Sequence, residues 1–527
     1  MFVKTIIAFF LGAFLSYSQP PWNIFLSLFF IFPILLILLE KEISQDNFAK
    51  RFLKLSYYGG LFLYSYFLFG FSWISSAFEY RIGFDNFQNL TFLGLPLLIT
   101  ILSISGFIFP AIFWGKRITN CLSLALALAL GEYLRSYLLT GFPWNLFSYA
   151  LGFNEELMQT NSLFGPHVTS FLLILASFSF LLLFSRASRL SGLVILLILP
   201  SMFFFGHLRL MNKAELNEKT FLIIQPNIPQ EEKGYGENFP SILQSYIDLS
   251  NNGQVDLIIW PESALPILLD ENKILIDSII SALPLGTSIL TGNVRLTQNG
   301  NPRNSALLIN EDSNVSAVYD KNHLVPFGEY LPLSKFLKRL KILKILVDDL
   351  GFEKGDNREP MLTPLGVARI LICYEIIFPN QIRKKNEKID LIINLTNDAW
   401  FDDGPGPYQH FTSSRFRAVE QGLPVLRSAN TGISAIIDPF GRIIDKLNIK
   451  DKGYLKSSLP MKITPTLYSK IGDFSLFAVI ILYFIFLFVN FRRESPKALI
   501  KEIIILHQNQ FPKGTPIKFV IRYLIVF

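Results

Sequence analysis

Long apolar runs separated by short polar breaks fill the chain as far as residue 205, and one more lies near its C-terminal end. The runs fall at 5–18, 22–39, 57–78, 90–114, 118–138, 162–184, 190–205 and 474–489. Most approach the ~20 apolar residues a helix needs to cross a bilayer. Between the last two runs the pattern becomes that of a globular domain. Short β-branched runs at 221–224, 255–260, 288–291, 305–309, 315–319, 368–372, 391–394 and 434–437 predict strands. Helical periodicity appears at 239–249, 272–283, 378–385 and 409–421. Apolar strands interleaved with helices predict sheets covered by helices, an α/β domain. The expected division is a membrane domain at 1–206 with about seven spans, a globular domain at 207–473, a final span at 474–490 and a basic tail at 491–527.

The first run has the outline of a cleaved leader, one Lys followed by an apolar stretch and small residues. A second apolar run follows at once, which favours an anchor. Loop charges set the orientation. Lys41, Lys50, Arg51 and Lys54 crowd one loop, Lys116 and Arg117 another, Arg186 and Arg189 a third, and Arg492, Arg493 and Lys497 follow the last run. The intervening loops are poor in Lys and Arg, so the positive-inside bias places these basic loops in the cytoplasm and the globular domain outside. Arg209, Lys213 and Lys219 lie on the outer side, where a long translocated domain tolerates them.

Composition adds to this. Charged residues make up 17% of the 527 and hydrophobic residues 51%, against roughly 25% charged in soluble domains. The formal charge of +7 is not gathered into a basic face with interleaved aromatics, which argues against nucleic acid as a partner. The two cysteines, Cys121 and Cys373, fall in different regions and make a poor disulfide pair. Five scattered histidines give no metal-binding spacing, and neither a metal nor a cofactor is expected.

Three residues carry candidate chemistry. Glu262 follows the strand ending at Trp260, Lys321 follows the strand ending at Tyr319, and Cys373 closes the run 368–372. Active residues gather at strand ends, where loops leave a rigid sheet. A carboxylate, an ammonium and a thiol so placed suit acyl transfer: the base takes the thiol proton, the sulfur attacks a carbonyl, and the cation with backbone N–H groups holds the oxyanion. Taken singly, each residue has a plainer reading as a buried small hydrophobe, a turn residue or a solvated lysine. Cys121 reads as membrane packing.

The order of motifs resembles the carbon–nitrogen hydrolase (nitrilase) superfamily and, more closely, its apolipoprotein N-acyltransferase family. The resemblance rests on Gln225-Pro226-Asn227-Ile228-Pro229-Gln230, Trp260-Pro261-Glu262, the segment from Tyr319 to Tyr330, Cys373-Tyr374-Glu375, the segment from Asn394 to Phe401, and Gly141-Phe142-Pro143-Trp144-Asn145. Gly234 followed by Tyr235 departs from the family's Trp in that loop. The resemblance implies a multi-span α-helical membrane protein bearing an outward nitrilase-like α-β-β-α sandwich. It implies a bacterial inner-membrane enzyme facing the periplasm, with a catalytic Glu262, Lys321 and Cys373. Glu329, Tyr374 and Glu375 are expected in support. The implied reaction passes an acyl chain from a membrane phospholipid through a Cys373 thioester to the α-amine of an S-diacylglyceryl-cysteine on an apolipoprotein. The alternatives are a membrane-tethered amidase with water as acceptor, and a transporter or receptor whose outer domain only binds. A basic amphipathic stretch at 334–347, with Lys335, Lys338, Arg339, Lys341 and Lys344 among apolar residues, suits a lipid-guiding arm.

Overall fold

A computed structural model describes residues 2–43, 46–78, 85–233, 238–330, 351–384, 387–401 and 404–493. Gly234 and Tyr235, the basic stretch 334–347 and the tail beyond Arg493 lie outside the described residues.

The apolar runs become helices, chief among them Phe2–Ser16, Leu28–Ile43, Phe48–Gly70, Asp85–Ile104, Arg117–Tyr137, Asn161–Ser177, Ile198–Leu210 and Phe474–Arg493. Thr91–Phe113 and Arg189–Leu210, 23 and 22 residues, are long and apolar enough to cross a membrane. Small residues allow close helix contact. A Cβ on Gly12 would lie 1.9 Å from the Phe62 carbonyl oxygen, and one on Gly106 would lie 2.1 Å from that of Ala127. No side chain fits at either crossing. Cys121 is buried in this core and makes no disulfide.

The globular region holds two six-stranded sheets. The first runs in the order β12 (Gly453–Pro460), β1 (Leu216–Gln225), β2 (Leu257–Ile259), β3 (Ser288–Leu296), β4 (Pro302–Ile309), β5 (Val315–Asp320). The second runs β11 (Ile443–Leu447), β10 (Ser434–Ile437), β9 (Val425–Ala429), β8 (Leu391–Thr396), β7 (Gly366–Ile372), β6 (Met361–Thr363). Each sheet has a parallel centre, β1–β2–β3 in one and β7–β8–β9 in the other, with antiparallel strands outside.

Period-two alternation sorts the side chains between faces. Phe221, Ile223, Leu257, Ile259 and Leu290 of the first sheet meet Ile370, Ile372, Ile393, Leu395 and Leu426 of the second in one core. The opposite face of the first sheet, with Leu222, Ile224 and Ile258, packs on helices Phe239–Ser250 and Lys273–Ser281 through Ile242, Tyr246, Ile276 and Ile279. The outer face of the second sheet, with Leu371, Ile392 and Val425, shares a core with helix Gly406–Gln421 and the apolar helical region. The layers are helix, sheet, sheet, helix.

One expected helix is corrected. Over its described part, 378–384, that segment holds only a 3-10 turn at Pro379–Gln381. Pro379 favours an extended Phe378, which has φ −88° and ψ 104°. Phe378 stacks on His323 at 4.0 Å instead of starting a helix.

Candidate active site

Each candidate residue is set by its strand. After β2, Trp260 is buried against Tyr246 at 4.6 Å and donates its indole N–H to Ser250 at 3.0 Å. Pro261 and Glu262 then turn across β3, where a Cβ on Gly292 would lie 2.5 Å from the Glu262 Cα. At the end of β5, Asp320 is gripped by Arg295 at 2.7 Å, Arg303 at 3.0 Å and Ser305 at 2.7 Å, which fixes the residue before Lys321. At the end of β7, Cys373 takes φ 49°, a left-handed conformation rare for a side-chain-bearing residue.

The structure brings Lys321 onto two carboxylates and sets Cys373 within electrostatic reach of Glu262 and Lys321. Lys321 Nζ lies 3.5 Å from Glu262 Oε1 and 2.8 Å from Glu329 Oε1. Asn304 Nδ2 donates to Glu262 Oε1 at 2.7 Å and to Glu329 Oε1 at 3.1 Å. The backbone N–H of Asn397 donates to Glu262 Oε2 at 2.9 Å, and that of Val325 to Glu329 Oε2 at 2.8 Å. Burial pulls the Lys321 ammonium down, but the Glu329 and Glu262 carboxylates outweigh it and hold the amine firmly protonated. Burial, reinforced by Glu262, pushes the Cys373 thiol up, and Lys321 opposes this only in part. The resting sulfur therefore carries its proton.

Two segments of the chain match known families. Residues 11–179 match the apolipoprotein N-acyltransferase N-terminal domain, and 223–464 match the carbon-nitrogen hydrolase family. An apolipoprotein N-acyltransferase from Rhodopseudomonas palustris (strain ATCC BAA-98 / CGA009) is 35% identical over 519 residues, covering 94% of this chain and 96% of the relative. That of Bradyrhizobium diazoefficiens is 36% identical, covering 89% and 92%, and that of Rickettsia prowazekii 34%, covering 91% and 97%. The chain belongs to the apolipoprotein N-acyltransferase family.

The remaining site residues bear on how the family's two segments meet. Glu375 does not bond to Lys321. It accepts from the Tyr319 hydroxyl at 2.9 Å and from the N–H groups of Asn322 at 2.8 Å, His323 at 2.9 Å and Ile372 at 2.9 Å. It thereby staples the lysine loop of one sheet to the cysteine strand of the other. Burial raises its carboxyl, with those backbone donors opposing. Tyr374 reaches the helical region, its hydroxyl donating to the Gly141 carbonyl at 3.1 Å. Residues 142–145 are held by Arg135, whose guanidinium donates to the carbonyls of Trp144 at 2.8 Å and Asn145 at 3.2 Å.

Sequence reasoning did not single out Asn304 or His410, and it met Asp398 only within the segment from Asn394 to Phe401. Donor atoms of Cys373, Asp398 and His410 lie within 4.8 Å of one another, a grouping able to hold a metal ion. Both imidazole nitrogens of His410 are engaged with protein, with Asp398 Oδ1 at 2.8 Å and the Cys373 carbonyl at 3.1 Å. A metal would have to break those bonds. Asp398 is salt-bridged to Arg427 at 2.7 Å; burial raises its carboxyl, but Arg427 and His410 bring it to about 2. In the sequence His410 is a lone histidine in a polar helical stretch, and only its burial gives it away.

Proposed function

We propose that the protein transfers an acyl chain from a membrane phospholipid to the α-amine of the S-diacylglyceryl-cysteine that begins an apolipoprotein, in two half-reactions. Glu262 takes the Cys373 proton as the sulfur attacks the donor ester carbonyl. Lys321 and the backbone N–H of Tyr374 hold the oxyanion. The C–O bond breaks, Glu262 returns its proton to the leaving lysophospholipid oxygen, and a thioester remains. In the second half the acceptor amine attacks the thioester and gives its proton to Glu262. The C–S bond breaks, the sulfur recovers a proton, and an amide is released. The ester supplies the activation, so the scheme uses no cofactor. Glu329 keeps Lys321 charged and aimed, and Glu375 keeps the lysine and cysteine strands in register.

The single observation that carries this reading is the meeting of a carboxylate and an ammonium 3.5 Å apart, at strand ends of one sheet, with a left-handed cysteine at a strand end of the other.

The reading extends to the membrane. The helices of the N-terminal region and Phe474–Arg493 form a multi-pass anchor in the bacterial inner membrane, with the sheets on the periplasmic side. Its support is the loop charge bias and the apolar side chains those helices leave uncovered, including Phe2, Phe14, Phe184, Leu190 and Phe474.

The test is transfer itself. Full-length protein in phospholipid vesicles is given a diacylglyceryl-cysteine peptide, and the peptide is weighed. A gain of one acyl mass on the amine is expected. Release of free fatty acid with the peptide unchanged would make the protein a hydrolase and overturn the proposal.

A further inference from the structure

We propose that His410 is a positioning residue that aims the oxyanion-donating N–H of Tyr374 by gripping the opposite side of the same peptide group. This rests on the role given to that N–H above.

One planar unit links the two groups. The carbonyl of Cys373 and the N–H of Tyr374 belong to the same trans peptide bond, so they point in opposite directions and turn together. A carbonyl offers only lone pairs, so His410 Nε2, 3.1 Å from the Cys373 oxygen, carries the hydrogen and donates it. Holding the oxygen fixes the N–H on the other side, and a hydrogen bond to the oxygen also strengthens the N–H as a donor.

The grip is needed because Cys373 sits at φ 49°, a conformation that costs a non-glycine residue about 1–3 kcal/mol. The surroundings therefore have to determine which way this peptide faces. Before it, the N–H of Ile372 is tied to Glu375 at 2.9 Å. At the Cys373 carbonyl itself, the side-chain hold is His410.

His410 is itself immobilised from several sides. Nδ1 lies 2.8 Å from Asp398 Oδ1, which also accepts from the Thr396 hydroxyl at 3.1 Å, while Arg427 Nη2 is 2.7 Å from Asp398 Oδ2. Gly432 packs so tightly on this carboxylate that a Cβ there would lie 2.3 Å from Asp398 Oδ2. The Trp144 ring stacks on the imidazole at 5.3 Å and 27°. His410 and Arg427 are wholly inaccessible. With Nε2 on the Cys373 carbonyl and Nδ1 set between Asp398 Oδ1 at 2.8 Å and Arg427 Nη2 at 3.2 Å, the ring is placed to orient rather than to exchange protons with substrate. Through Trp144 it also joins the helical region to the nucleophile's peptide.

The experiment compares two reactions of Cys373 in the full-length protein. Acyl transfer from a p-nitrophenyl ester builds an oxyanion; alkylation by iodoacetamide does not. His410→Leu should lower kcat for the first by about ten- to hundred-fold with KM nearly unchanged, while alkylation followed at the Cys373 peptide changes less than three-fold. His410→Gln, which can present an amide N–H to the same carbonyl, should recover most of the loss. Equal falls in both reactions, no fall in acyl transfer, or failure of His410→Gln to recover activity at an unchanged melting temperature would each overturn the inference. Normal ester transfer without any reaction on phospholipid would sink the proposed donor and leave His410 to be judged by the same ratio. A wild-type Cys373 that takes no acyl group from the ester overturns both.

Discussion

The two sheets share a layout, three parallel strands with antiparallel neighbours, yet they contribute different things to the site. The first carries the lysine and its carboxylates: Glu262 and Lys321 stand just past its strand ends, Glu329 in the loop after β5, and the bridging Asn304 within β4. Two conventional amphipathic helices cover its outer face. The second carries the sulfur and the left-handed backbone that presents it. Its outer face lies under a helix, Gly406–Gln421, that is polar yet buried along most of its length. That helix meets the apolar region through polar contacts: Gln409 accepts from Trp144 at 2.9 Å and Trp73 at 3.1 Å, and Arg417 donates to Tyr149 at 2.8 Å. The lesson is a division of labour. The lysine and its two carboxylates belong to the sheet remote from the helical region, while the cysteine belongs to the sheet that touches it.

Substitutions can break or sharpen that division. Glu262→Gln should have the largest effect, lowering acylation of Cys373 by ~10²–10⁴-fold, because the thiol loses its base. The protein should still melt near the wild-type temperature, which a thermal scan in detergent checks. Arg417→Leu, on the other sheet's cover, should show the reverse pattern. It removes the partner of the buried Glu420, 2.6 Å away, and should destabilise by about 3–5 kcal/mol, read as a lower melting temperature. If Arg417→Leu left stability intact, the buried Arg417–Glu420 pair would not be what holds that helix in place.

A smaller effect is expected at Glu329. Replacing it by Gln removes one of the two carboxylates that hold the Lys321 charge, and acylation should fall about ten-fold at unchanged melting temperature. A fall as large as that of Glu262→Gln would mean that Glu329, not Glu262, serves as the base.

The smallest effect is a slope with pH. Burial raises the Glu420 carboxyl to about 7, against the pull of Arg417. An acid raised on folding binds its proton more tightly in the folded state, so its contribution to stability is present below the unfolded value of ~4.3 and lost as pH rises to about 7. Wild type should lose melting temperature between about pH 5 and 7, and Glu420→Gln should flatten that stretch. Parallel curves for the two proteins would count against it.

Legibility in the sequence followed how each element meets its surroundings. Strands buried on both faces, such as β7 and β8, are mainly apolar despite Arg369 in one and Asn394 in the other, and read as strands. β9 is equally buried but carries Arg427 and Ser428, whose partners lie on other elements, so its pattern did not read as a strand. β11 and β12 mix polar with apolar residues and are partly exposed, and β6 is three residues long. Glu262, Lys321 and Cys373 could be picked out because each follows a readable strand. Asn304, Asp398 and His410 could not, because their neighbours are set by how the two sheets face each other and by how one helix lies beneath Trp144. Glu375 was visible as a residue but not in its task, since a carboxylate tied to backbone N–H groups leaves no local signature.

The central claim is that Cys373 holds the acyl chain in transit, and it can be weighed directly. Full-length protein is incubated with a single phospholipid species, without acceptor, and its intact mass is recorded before and after neutral hydroxylamine. The account predicts a gain of one acyl mass that maps to Cys373, disappears with hydroxylamine as a thioester should, and is absent in Cys373→Ala. An acyl mass that resists hydroxylamine, maps elsewhere or persists in Cys373→Ala would contradict it.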